Sequence, residues 1–231
     1  WLLENNKNQI LDNEEKHLFA TLIAIQFLRM PNIRYKYVEA DKKFYDKRLE
    51  IIKAYINTEI FLDKEISEDL DISYDNEDFA SAIHAEIFAD EELLLEITNL
   101  ITSKHWVFYV TSSKDFYTSD NPIFVKSYLP NQKTHYEGFG MKGAEIIFPL
   151  GSSVLLTLWD ENYFNEKQNM ADNFHCIDAN SKIEYNRHQY LHATKQIYSE
   201  KDNFDLIREI KSINGGKEIF IKSAKILVNG K

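Results

Sequence analysis

Apolar positions recur at helical spacing through the first half of the chain and shift to the two-residue period of strands in the second. Asp12 and Glu15 carry the spacing of a capping box and open a helix that runs to about Met30, where Pro31 discourages continuation. Between Leu18 and Leu28 this helix is apolar on nearly every face, the pattern of a helix at the centre of a domain. A second helix is predicted over Lys36–Asn57, with Phe44, Leu49, Ile52 and Ile56 on one side and charges on the other. The acidic stretch Asp63–Asp78 reads as an exposed connection, and a third helical stretch over Glu77–Ser103 carries a break near Asp90.

Strands are predicted at His105–Thr111, Ile123–Tyr128, Ala144–Leu150 and Val154–Trp159, with Leu150–Ser153 as the hairpin connection between the last two. Ser181 and Glu184 repeat the capping-box spacing and predict a helix to about Ser199. A shorter helix over Phe204–Ile213 ends at Gly215-Gly216, and Glu218–Val228 alternates as a final strand. The expected class is α+β: a helical N-terminal half packed against a mostly antiparallel sheet in the C-terminal half, with returning helices. Residues 1–231 are read as a single domain, mainly helical to 103 and sheet plus helices from 104.

Composition narrows this picture. A 44% hydrophobic content supports a real core, and only seven glycines and four prolines leave no room for linkers or low-complexity tracts. The formal net charge of −10 repels phosphate backbones at long range and disfavours general nucleic-acid binding, leaving an unassigned ligand or a protein as partner. No apolar run is long enough to span a membrane. The one cysteine, Cys176, cannot form an internal disulfide, which suits a reducing cytoplasm. Residue 1 is Trp and no signal peptide is visible, so the numbering is expected to begin inside a longer gene product.

Several polar residues stand where a purely structural protein has little use for them. Gln26 and Arg29 share one face of an otherwise apolar helix. A guanidinium buried there must be answered by a carboxylate or a ligand anion, unless Arg29 merely closes the helix end beside a nearby acid. Thr118-Ser-Asp-Asn-Pro122 joins two strands. Asp120 and Asn121 suit either a tight turn with local side-chain bonds or a strand end facing a cleft. Glu145 comes near Asp120 if the flanking strands pair, and two such carboxylates suit acid–base work or a divalent metal. His84 and Asn186 are inward-facing polar groups on amphipathic helices, either satisfied core groups or walls of a polar cavity. His188 and His192 have a zinc-compatible spacing, but no zincin glutamate follows. They read as a solvated basic face, and no metal is assigned. No glycine-rich phosphate loop, G-x-S-x-G or C-x-x-C occurs, so no cofactor is assigned either.

Ala24-Ile-Gln-Phe-Leu-Arg-Met-Pro31, His84, His105-Trp-Val-Phe, Thr118-Ser-Asp-Asn-Pro122, Glu145-Ile-Ile-Phe-Pro-Leu150 and Asn186 follow one another in that order. Together they resemble the bacterial domain-of-unknown-function family numbered 4238, over roughly residues 15 to 200. The resemblance implies that Gln26, Arg29, Asp120 and Asn121 match the family's own polar signatures. It also implies a further N-terminal segment with a His-x-x-Pro-like motif. It brings no reaction with it.

Two functions fit these residues. One is a hydrolase, concretely a nuclease or nucleotide hydrolase. In it Arg29 grips an anion, Asp120 acts as base or metal ligand, and His84, Glu145, Gln26, Asn121 and Asn186 contribute to the cleft. The other is a non-enzymatic binding or interaction module whose buried polar network is structural.

Overall fold

The computed structural model describes residues 10–59, 77–129 and 138–213. Helix α1 (Asn13–Leu28) starts on the expected capping box: the Asp12 carboxylate accepts from the Glu15 amide, and Glu15 accepts from the Asp12 amide, each at 2.9 Å. Ala20, Ile23, Ala24 and Leu28 are buried, but Leu18 and Leu22 are exposed, so α1 covers the core on one side instead of running through its centre. After Arg29 and Met30 the chain turns straight into α2 (Pro31–Glu59). Pro31 ends one helix and begins the next, because a proline at the first helical position sacrifices an amide that has no partner there. Helices α3 (Glu77–Ala89) and α4 (Glu91–Thr102) are separated at Asp90, whose carboxylate caps α4 through the Leu93 amide at 2.9 Å. The expected connection Asp63–Asp78, up to residue 76, lies outside the described residues, as does the expected strand Glu218–Val228.

The sheet contains β1 (His105–Val110), β3 (Phe124–Ser127), β4 (Ala144–Gly151), β5 (Val154–Trp159) and β6 (Asn173–Cys176), ordered β3-β4-β5-β1-β6. Three of the four pairings are antiparallel; β6 runs parallel to β1, so the sheet is mixed. Short, edge-lying and only half-buried, Asn173–Cys176 lacks the apolar run that announces a strand. A separate two-stranded ribbon pairs β2 (Thr118–Ser119) with β7 (Ile197–Tyr198).

Strand alternation sends Trp106, Phe108, Ile146, Leu156 and Leu158 to one face, where they meet α1 and α4. Phe124, Ile147 and Leu155 face the other side and pack against Tyr185 of α5 (Ala179–His192). Because both faces are covered, the central strands are buried almost continuously. Helix α5 departs from expectation at both ends. Its cap is Asp178, which accepts from the Ser181 amide at 2.9 Å, so Ser181 already lies inside the helix. The helix stops at His192, where Ala193 turns extended, and the chain returns through β7 to α6 (Asp205–Ile213).

Candidate functional site

The early stop of α5 is enforced by Asp120. One carboxylate oxygen accepts from the Thr194 amide at 2.9 Å and the other from the Lys195 amide at 2.8 Å. Its own amide donates to the Gln196 carbonyl at 3.2 Å. Asn121 adds four further ties. Its side-chain oxygen accepts from the Asn32 amide at 3.2 Å, filling an orphan position in the first turn of α2. Its side-chain nitrogen donates to the His192 carbonyl at 3.2 Å and to the Thr194 hydroxyl. Gln189 donates to the Asn121 carbonyl at 3.0 Å. The turn before Pro122 is thus the joint on which the start of α2 and the end of α5 meet.

A cleft of about 260 Å³ opens at this joint, lined by Arg29, Pro31, Arg34, Tyr35, His84, Asp120 and Lys195. The two-residue corner after α1 places Arg29 at one helix end and Arg34 in the first turns of the next. Arg34 donates to the Ser81 hydroxyl at 3.1 Å. His84, half-buried on α3, bonds the Leu28 carbonyl through Nε2 at 3.0 Å. A carbonyl only accepts, so Nε2 carries a proton and Nδ1 is the nitrogen left to exchange one. Among the described residues no carboxylate lies within ion-pair distance of Arg29, Arg34 or Lys195. Asp120 touches the backbone of the 194–195 segment, not its ammonium group.

The cleft therefore brings together Arg29, His84 and Asp120, three residues singled out from sequence. It does so differently from expectation. Arg29 is exposed, so it carries no burial cost that an acid must offset. Gln26 is half-buried on α1 and Asn121 is buried beneath the turn; neither lines the cleft. Asn186 is buried elsewhere, accepting from the Tyr117 amide at 2.9 Å and donating to the Asp115 carbonyl at 2.8 Å, which clamps the segment after β1 onto α5. The strands flanking Asp120 and Glu145 do pair, but the register sets Glu145 opposite Lys126 and Trp159, away from the turn. Arg34, Tyr35 and Lys195 were not among the expected site residues: the first two fall between Pro31 and the expected helix start at Lys36, and Lys195 falls in the last turns of a helix expected to run to Ser199.

Glu145 forms a centre of its own. It is fully buried and accepts from the hydroxyls of Tyr185 at 2.6 Å and Tyr128 at 2.8 Å. Burial pushes its carboxyl above the ordinary carboxylate range, against the opposing pull of the two hydroxyls and of Lys126. Burial and the neighbouring carboxylate likewise push both tyrosines up. With its pKa raised in the folded state, Glu145 favours folding most below the ordinary value of 4.5, and that contribution is lost as pH climbs through the folded value. The variant Glu145→Gln keeps the shape and removes the titration. Thermal melts from pH 4.5 to 8 are expected to show the variant gaining on the parent protein as pH rises; a constant difference would mean that the carboxyl is not shifted.

His188 and His192 are not a solvated basic face. Their rings stack on Phe124 at 5.9 and 4.9 Å, and burial, then Lys126, holds His188 below the ordinary histidine value. Among the described residues no three histidine, cysteine or carboxylate side chains are grouped for a metal, and no helix is long and apolar enough to cross a membrane.

An α+β chain with a basic cleft at a helix–ribbon joint is the class that fold and geometry define. The family described as "Protein of unknown function (DUF4238)" matches residues 2–203, and the chain belongs to it. No curated protein and no solved structure matches the chain.

Proposed function

We propose that the cleft binds a small phosphate-bearing molecule and that the protein hydrolyses such esters, with His84 as the proton-transfer group. The observation that carries this reading is the convergence of Arg29, Arg34 and Lys195, none paired with a carboxylate among the described residues, on one hollow of a chain whose net charge is −10. Three cations against the one carboxylate of Asp120, itself held by backbone amides, leave the hollow with an excess of positive charge that an anion relieves. Two guanidinium forks suit the paired oxygens of a phosphoryl group, and a lysine adds a point charge. Asp120 acts in this reading as a positioning residue: with an amide on each oxygen, it aims Lys195 and is poorly placed to serve as a base. The small cleft and the acidic chain favour a small phosphate ester over a nucleic-acid polymer.

A non-enzymatic binding module is the second reading. It is favoured by the internal hydrogen bonds of Asn121, Asn186 and Glu145, which belong to the framework. Calorimetric titration with inorganic phosphate and release of phosphate from an aryl phosphate ester separate the two. Arg34→Ala and Lys195→Ala are each expected to weaken phosphate binding about tenfold, the scale of one charge-assisted hydrogen bond. Unchanged affinity in the double variant would remove the phosphate site. Retained binding without turnover in the parent protein would leave the binding module.

A further inference from the structure

A second hollow of about 230 Å³ lies beside the basic cleft, between the end of α5, β7 and α6, and Lys195 lines both. Its walls are of another kind. Tyr190, Ala193 and Ile207 are buried apolar surface, and Phe204 presents a ring. That ring packs against Tyr117, 5.9 Å away between centroids and tilted by 35°, whose hydroxyl donates to the Asn203 carbonyl at 2.7 Å. The rim is polar. The Gln196 side-chain oxygen accepts from the Tyr198 hydroxyl, leaving the amide nitrogen as a donor at the opening.

The strip between the two hollows is fixed, since Asp120 holds the amides of Thr194 and Lys195 and donates to the Gln196 carbonyl. Together the hollows reach the size range of small-molecule sites, about 300–1,000 Å³, whereas an inorganic anion fills only the first. An apolar wall with an aromatic face and a hydrogen-bonding rim matches a flat heterocycle with polar edges. An alkyl tail has no use for that rim, whereas a base has a π-face for the ring and edges for the rim.

We infer that the ligand is a nucleoside phosphate: its phosphate sits among Arg29, Arg34 and Lys195, and its base lies against Phe204, with the ribose crossing at Lys195. This rests on the reading of the basic cleft as a phosphate site. Calorimetry on the full chain with AMP, adenosine and inorganic phosphate tests it. AMP is expected to bind about tenfold tighter than inorganic phosphate, the scale of one base–aromatic stack. Phe204→Leu, which keeps apolar bulk, and Gln196→Trp, which fills the hollow from an exposed position, are each expected to erase that advantage and leave inorganic phosphate affinity unchanged. Equal affinity for AMP and phosphate in the parent protein, or an AMP advantage that survives both variants, overturns the inference and spares the phosphate site. Failure of phosphate and AMP alike to bind overturns both.

Discussion

Replacing His84 by asparagine is expected to lower the turnover of a phosphate ester about 10²- to 10⁴-fold, the usual worth of a positioned acid–base group. The affinity for inorganic phosphate should hardly change. Asparagine retains an amide donor for the Leu28 carbonyl that Nε2 now bonds at 3.0 Å, so the link between α3 and the end of α1 has a substitute. What disappears is the second ring nitrogen, the one able to take or give a proton. The three cations that would hold the ester come from other elements, so binding and turnover should separate. The measurement is kcat from phosphate release, set beside calorimetric affinity. An asparagine variant with the parent kcat would show that the imidazole moves no proton in the slow step.

The second large effect concerns the frame on which the cleft stands. Trp106→Ala is expected to lose about 3–5 kcal/mol of stability, read from urea unfolding. Trp106 is fully buried on β1. Its ring lies 5.8 Å from Phe19 and 6.4 Å from Phe108, with the Lys16 ammonium 5.4 Å from its centroid. Its indole nitrogen donates to the Ile101 carbonyl at 3.0 Å, near the end of α4. Alanine empties a site walled by α1, α4 and the sheet, where close-packed neighbours cannot easily collapse inward. Trp106→Phe keeps most of the volume and gives up the hydrogen bond, so it should cost clearly less. A loss under about 1 kcal/mol in the alanine variant would mean that the surrounding layers close over the gap.

Periodicity made the layers legible. The capping box at Asp12, the interruption at Asp90 and the strand Val154–Trp159 stand where the pattern places them. The hidden parts were those decided by distant contacts. Nothing local in Asn186–Ser199 says that a helix ends at His192, because the groups that end it belong to Asp120. For the same reason Lys195 reads as one more helical lysine. Pro31 signals a boundary in sequence, but not that a new helix begins on the proline itself. Asp120 and Arg29 were noticeable as residue types out of place. Glu145 was equally noticeable, and only the register of β3 on β4 assigns it to a tyrosine cage instead of the cleft.

The cleft has no single owner along the chain: its walls come from the α1–α2 corner, from α3, from the turn before Pro122 and from the return after α5. Any molecule that settles there therefore acts as a clasp on four segments at once, and unfolding must first release it. By mass action a ligand at a hundred times its dissociation constant deepens the native well by about 2.7 kcal/mol, without a single new contact inside the protein.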